Sequence, residues 1–260
     1  MSGVHRPDAS PVADLHNRMI MPTDPRCLVE TDESSGVLRL TGVLDVAATG
    51  TVRDALLAWL CRRPGPVVVD LSGARISDSA ARRTLAEVRR EIADWPAADL
   101  LVVDPSGETA GDGLSVWPTL DEATVALAAS PMAAAATREL PPDVGAAREA
   151  RALVLEGCAR WGIDELAEAG CIAVTEMVNN VVAHAGTPMT VRLAPWHDTL
   201  RIGVRDHSAL QPTYAGLAPP DTAGGRGLLL IDTVARRWGS TPLPDGKLVW
   251  AILHTEDERP

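Results

Sequence analysis

The 260-residue sequence contains no phenylalanine and a single tyrosine, and its aromatic content of 3% is supplied almost wholly by seven tryptophans. Beside abundant Ala, Arg and Pro, this scarcity reads as base-composition bias. It leaves little for a base-stacking platform, so Trp59, Trp95, Trp117, Trp161, Trp196, Trp238 and Trp250 are assigned to core and interface packing. The four cysteines, Cys27, Cys61, Cys158 and Cys171, are isolated, and no pair has metal-ligand or redox spacing. They read as free thiols in a reducing, cytoplasmic setting. Positive charge is also short: 24 Lys and Arg stand against 35 Asp and Glu, a formal net charge of −11. A broad nucleic-acid contact needs many cations on phosphates and is disfavoured, whereas protein partners are not. No apolar run approaches the roughly 18 to 20 residues of a membrane span. The first residues are polar and contain proline, without the apolar core of a secretory signal.

What is present is enough apolar material for two cores, 46% hydrophobic against 23% charged residues. Residues 1–24 lack any period and are expected to be a disordered tail. Residues 25–130 alternate short apolar runs with helical patterns, the sign of an α/β layer domain. Strands are expected at 27–31 and 37–43 around a Gly36 turn, then a helix over 46–62 ended by Pro64-Gly65-Pro66. A buried β-branched strand at 67–71, a helix over 79–93, a strand at 100–103 and a helix over 120–129 follow. Residues 104–119 read as a surface loop. Residues 131–142, with Pro131, an Ala run and Pro141-Pro142, read as the linker. The second domain, 143–256, is expected to open with helices over 143–161 and 164–185. Strands at 190–194 and 200–206, a Gly/Pro-rich stretch over 207–225, a helix over 226–237 and a strand at 247–254 complete it. Helices on one side of a mostly antiparallel sheet satisfy this order.

The helix around Glu176 carries the first chemical signal. At about 100° per residue Val174, Met177, Val178, Val181 and Val182 share one arc that can bury. Glu176, Asn180 and His184 share another, lining up a carboxylate, an amide and an imidazole. Taken alone, that arc reads rather as a solvated polar face. In the strand 200–206, Leu200, Ile202 and Val204 alternate with Arg201, Gly203 and Arg205. The strand ends in Asp206, a carboxylate able to accept from an exocyclic amino group. Gly224-Gly225-Arg226-Gly227 then opens an apolar helix, where glycines let phosphate approach backbone N–H groups.

That ordered set resembles the ATP-binding domain shared by gyrase-type ATPases, Hsp90 and histidine kinases. It is most similar to the short actinobacterial anti-sigma factor serine kinases. The matching residues are Val174 to Ala185, with Glu176, Asn179, Asn180 and His184, and Gly224 to Leu230. Arg237-Trp238-Gly239 and Gly246 to Ala251 match as well. The resemblance implies an α/β sandwich of the Bergerat type. It implies ATP and Mg²⁺ as cofactors, with Asn180 holding Mg²⁺ and Glu176 as general base on an acceptor hydroxyl. Asp206 would bind the adenine amino group, Gly225, Arg226 and Gly227 would cover the phosphates, and 207–224 would form a lid. His184 would cap, contact phosphate or pack. The family often has Asp-x-Gly after the adenine strand; here Ser208 takes the glycine position of Asp206-His207-Ser208.

Residues 26–130 resemble a STAS domain, the fold of anti-sigma factor antagonists, through Leu40 to Asp45 and Val67 to Gly73. Asp78-Ser79 falls where antagonists carry the phosphorylated serine. Locally Asp78 or Ser79 also serves as a helix N-cap, and Ala80-Ala81 replaces the family's usual small residue and glycine. The chain is thus a two-domain α/β protein. It is expected to be an ATP-dependent serine/threonine kinase fused to a regulatory STAS domain, acting in partner-switching control of a sigma factor. Its partners would be a sigma factor or a STAS antagonist, without direct nucleic-acid or membrane contact, and a homodimer is compatible. Ser79 would be phosphorylated in cis, or the STAS half would occlude the site while a separate antagonist is the substrate. The alternative is an ATP-responsive, non-catalytic module that sequesters a sigma factor or another regulator. A weaker reading is a scaffold with both sites relics.

Overall fold

A computed structural model of the chain describes residues 27–32, 34–63, 65–111, 113–130, 134–210 and 226–254. The expected tail and most of the expected lid, with Gly224 and Gly225, lie outside them. In the first half β1 (Cys27–Asp32) and β2 (Val37–Leu44) pair antiparallel. β3 (Val67–Ile76), β4 (Leu100–Val103) and β5 (Ser115–Trp117) then add in parallel, giving the order β1-β2-β3-β4-β5. The start of β3 is apolar without alternation because both of its faces are covered. Val67, Val69 and Leu71 meet α1 (Val46–Arg62) and α2 (Ser79–Glu91), while Val68 meets α3 (Leu120–Ala128). Asp45 caps α1 by accepting from Ala48 N, and Val52, Leu56, Trp59 and Leu60 bury its inner face. β5 lies inside the expected loop; three residues between Gly and Pro are too short to show a period.

The second half is a fully antiparallel sheet in the order β6-β7-β8-β10-β9. Its strands are β6 (Ala136–Leu140), β7 (Met189–Trp196), β8 (Thr199–Asp206), β9 (Arg237–Leu243) and β10 (Gly246–His254). α4 (Ala146–Trp161), α5 (Ala167–Asn180) and α6 (Arg226–Val234) share a core with one face of it. Residues 136–140, expected in the linker, are an edge strand paired with β7. The last helix ends at Val234, and Arg237 starts β9 instead. The helix expected over 164–185 is composite: a 3₁₀ turn at Asp164–Leu166, α5, and a π turn at Val181–Ala185. Contrary to the sequence reading, this 22-residue stretch is long and apolar enough to cross a membrane by length and composition. Its apolar side has a different employment: Ala173, Val174, Met177, Val178 and Val181 are buried in the second core.

The two faces of the second sheet are used differently. Val191, Leu193, Leu200, Ile202, Val204, Val249, Ala251 and Leu253 point into the helical core. The alternate positions meet the first domain. Arg192, 7% exposed, donates from Nη1 to Leu60 O (2.7 Å) and from Nη2 to Cys61 O (2.9 Å), carbonyls in the last turn of α1. Arg201 donates to Ala93 O at 2.6 Å, just beyond α2. Helix C-termini leave carbonyls without intrahelical donors and carry partial negative charge, so a guanidinium suits both ends. Burial pushes the Arg192 guanidinium down to about 10, still a cation at neutral pH. Trp95 Nε1 donates to Thr241 Oγ1, Arg237 pairs with Asp94 at 2.8 Å, and Leu248 belongs to the first domain's core. Gly203 lets Pro96 rest on β8: an added Cβ would lie 2.7 Å from the Pro96 ring. The first domain therefore covers the back of the second sheet and does not occlude the face that carries α5.

Candidate functional site

α5 presents Glu176 and Asn180, both half-buried, one turn apart on the arc that the core does not take. The start of α6 lies against them. A Cβ added at Gly227 would sit 2.6 Å from Glu176 Oε2 and 3.7 Å from Asn180 Oδ1, so only glycine brings this backbone so close to the carboxylate. Gly225 lies outside the described residues, as does the side chain of Arg226. His184 does not continue the arc. It sits in the π turn closed by Gly186 N to Val181 O (2.8 Å), where the wider turn breaks the 100° spacing, and it is exposed.

Asp206 ends β8 and is completely buried. Its Oδ1 accepts from Ser208 N at 2.8 Å and from Lys247 Nζ at 2.9 Å. The Ser208 contact, made by its backbone N–H, closes a tight turn. Lys247 Nζ also lies 2.9 Å from Oδ2, so the ammonium straddles both carboxylate oxygens and the buried pair compensates itself. The buried Asp206 carboxylate and the close approach at Gly227 are the features to which the resemblance assigns an adenine amino group and the phosphates. Among the described residues no cluster of three or more His, Cys, Asp or Glu could hold a metal ion.

Lys247 was missed by the sequence reading. The register shows why: Lys247, Val249, Ala251 and Leu253 alternate on one face of β10, which sets a buried lysine opposite Asp206, where it needs a partner.

Ser79 stands elsewhere. Asp78, rather than Ser79, is the N-cap of α2: its Oδ1 accepts from Ala80 N and Ala81 N at 2.9 Å each, and its Oδ2 from Val46 N at 3.1 Å. Those bonds, with Ala81 N–H foremost, hold its carboxyl below the usual range. Ser79 is exposed at the first position of the helix, and the N–H groups of Ala80 and Ala81 beside it are already engaged by Asp78. The residues just beyond the C-terminal end of α2 meet the back of the second sheet and α5 packs on its front, so the first domain, with Ser79, and Glu176 lie on opposite sides of it.

Comparison with known proteins agrees with this division. A family described as histidine kinase-like ATPase domain matches residues 140–253, and one described as Mlab, STAS domain matches residues 27–96. Uncharacterized protein SCO4941 of Streptomyces coelicolor is 40% identical over 81 residues, 29% of this chain and 76% of its own length. Among solved structures, an anti-sigma factor antagonist from Mycobacterium paratuberculosis is 23% identical with a TM-score of 0.33, covering 41% of this chain and 99% of its own. The histidine kinase domain of a blue-light activated histidine kinase from Erythrobacter litoralis EL346 is 15% identical with a TM-score of 0.30, covering 80% and 94%. The chain belongs to the STAS domain family through its first half and to the histidine kinase-like ATPase domain family through its second.

Proposed function

We propose that the protein is an ATP-binding regulator of the anti-sigma factor type, acting in the cytoplasm, whose second half phosphorylates a serine or threonine of a separate STAS-domain protein. The observation that carries this reading is the convergence of Glu176, Asn180 and the Gly227 backbone at the head of α6. Glu176 would take the proton from a hydroxyl that faces the γ-phosphate. The hydroxyl oxygen forms a bond to the γ-phosphorus, the bond to the β-phosphate oxygen breaks, ADP leaves, and the proton passes to the Glu176 carboxylate. Mg²⁺, when bound, would neutralise phosphate charge; the Asn180 amide oxygen is a suitable hard ligand, with phosphate oxygens and water completing the shell. A sigma factor or its antagonist is the partner this activity would serve. The placement of Ser79 behind the sheet supports a substrate in trans rather than in cis.

The test is to incubate the full chain with Mg·ATP and candidate STAS-domain proteins and to follow intact mass, beside Glu176→Gln. The parent is expected to transfer one phosphate to the acceptor, and Glu176→Gln to bind ATP without transfer. Nucleotide binding without transfer to any acceptor would overturn the kinase reading in favour of an ATP-responsive binding module.

A further inference from the structure

The seam between the two domains encloses a cavity of about 10 Å³, room for a single water-sized occupant. Cys61 and Pro96 of the first domain line it together with Thr190, Arg192, Arg205 and Leu248 of the second. Two of these side chains are cations, and none is a carboxylate. The Nε atoms of both Arg192 and Arg205 are buried and have no hydrogen-bond partner among the described residues. Arg192 spends its Nη1 and Nη2 on the neutral carbonyls of Leu60 and Cys61, and Arg205 spends Nη2 on Asp245 at 2.6 Å. Glu139 attracts Arg192 but accepts from Thr190 Oγ1 at 2.7 Å, and it makes no hydrogen bond to the guanidinium among the described residues. Burial pushes the Cys61 thiol up to about 12, so no thiolate supplies the missing negative charge.

Arg192 is 7% exposed, has no carboxylate hydrogen-bonded to it among the described residues, and faces a second guanidinium across the cavity lining. A buried charge left in that condition is costly. We infer that the cavity is a binding site for a small monovalent anion, chloride, which accepts from the Nε–H groups of Arg192 and Arg205. A water molecule is a poorer occupant. It would accept from both N–H groups but have two protons of its own to place, and the lining offers no charged acceptor for them. An anion only accepts, and it cancels one of the two positive charges. Because the lining comes from both domains, the bound anion is a bridge that favours their docked arrangement. The site lies behind the second sheet and is independent of the nucleotide site proposed on the other face.

The test follows the thermal melt of the unmodified full chain as sodium chloride replaces sodium gluconate at constant ionic strength, gluconate being too large for the cavity. A saturable rise in Tm is expected, reaching about 5–10 °C when chloride is at about a hundred times its dissociation constant. Arg205→Gln removes the second cation and is expected to abolish this dependence. A crystal of the unmodified chain grown in bromide should show one anomalous peak in contact with both Arg192 and Arg205. Equal Tm in the two salts overturns the inference. A chloride dependence undiminished in Arg205→Gln places the anion elsewhere and overturns it as well. So does a cavity without a bromide peak, the outcome for a site that holds only water, and that arm needs no variant to fold.

Discussion

At the scale of single residues the site depends on how closely the Gly227 backbone approaches Glu176. A methyl group there would stand 2.6 Å from a carboxylate oxygen, well inside van der Waals contact. That oxygen is the far end of a flexible side chain, so it can move aside cheaply. Gly227→Ala is therefore expected to change folding stability by less than about 1 kcal/mol. It should nevertheless lower phosphoryl transfer about a hundredfold or more, the range a displaced general base forfeits. Parallel thermal melts and transfer assays check the separation; full transfer in Gly227→Ala would show that Glu176 is not held by this contact. Thiol chemistry belongs to the same scale. Burial pushes the Cys61 thiol up to about 12 and the Cys158 thiol to about 11, so neither is a thiolate at neutral pH. That agrees with their reading as unreactive core cysteines.

At the scale of elements, Asp78 ties together the starts of two helices, accepting from Val46 N of α1 as well as from Ala80 N and Ala81 N of α2. Its carboxyl is held below the ordinary value in the fold, so protonation favours the unfolded chain. The contribution is present above an unfolded pKa of about 4 and is lost as pH falls through the lower folded value. Asp78→Ala is expected to lower Tm by a few degrees at pH 7, while Asn, nearly as good a cap, should retain most of the stability and lose the acid-dependent part. Melts of both variants between neutral and acidic pH decide this; an unchanged acid dependence in Asp78→Asn would show that another carboxylate is responsible. The elements also differ in how plainly they were written in the sequence. α1, β3 and the core of α5 have strong periods because burial dictates every second or every third and fourth residue. β5, β6 and β9 do not: β6 is Ala-Thr-Arg-Glu-Leu and β9 carries Gly239 and Pro242. Outer strands of the sheet are specified less by their own pattern than by the neighbour they join. For the candidate site, Glu176, Asn180, Asp206 and Gly227 were legible from their order, whereas Lys247 became legible only when the register set it opposite Asp206.

At the scale of the whole molecule, the feature hardest to read was the covering of the second sheet's back. Arg201, Gly203 and Arg205 alternate with apolar residues and look like a solvated face. In the fold, Arg192 and Arg201 meet the ends of α1 and α2, Gly203 admits Pro96, and Leu248 joins the first domain's core. The same strands carry Asp206 and Lys247 on their other side, so the candidate site and the domain docking share β8 and β10. Arg192→Leu would remove both donors from Leu60 O and Cys61 O and leave two buried carbonyls unpaired, a loss of about 2–4 kcal/mol. Gly203→Val would reach a similar end by steric means, pushing the Pro96 ring away without removing any polar group. Calorimetry of the parent is expected to give one cooperative transition, and each variant two, because the domains no longer unfold as a unit. ATP at about a hundred times its dissociation constant adds about 2.7 kcal/mol to whatever unfolds with the site. It should raise the single transition of the parent, but only the second domain's transition in the variants. A single, ATP-responsive transition retained in both Arg192→Leu and Gly203→Val would show that the covering contributes nothing to joint stability. Two transitions in both would show that the STAS half supports the strands that carry Asp206 and Lys247.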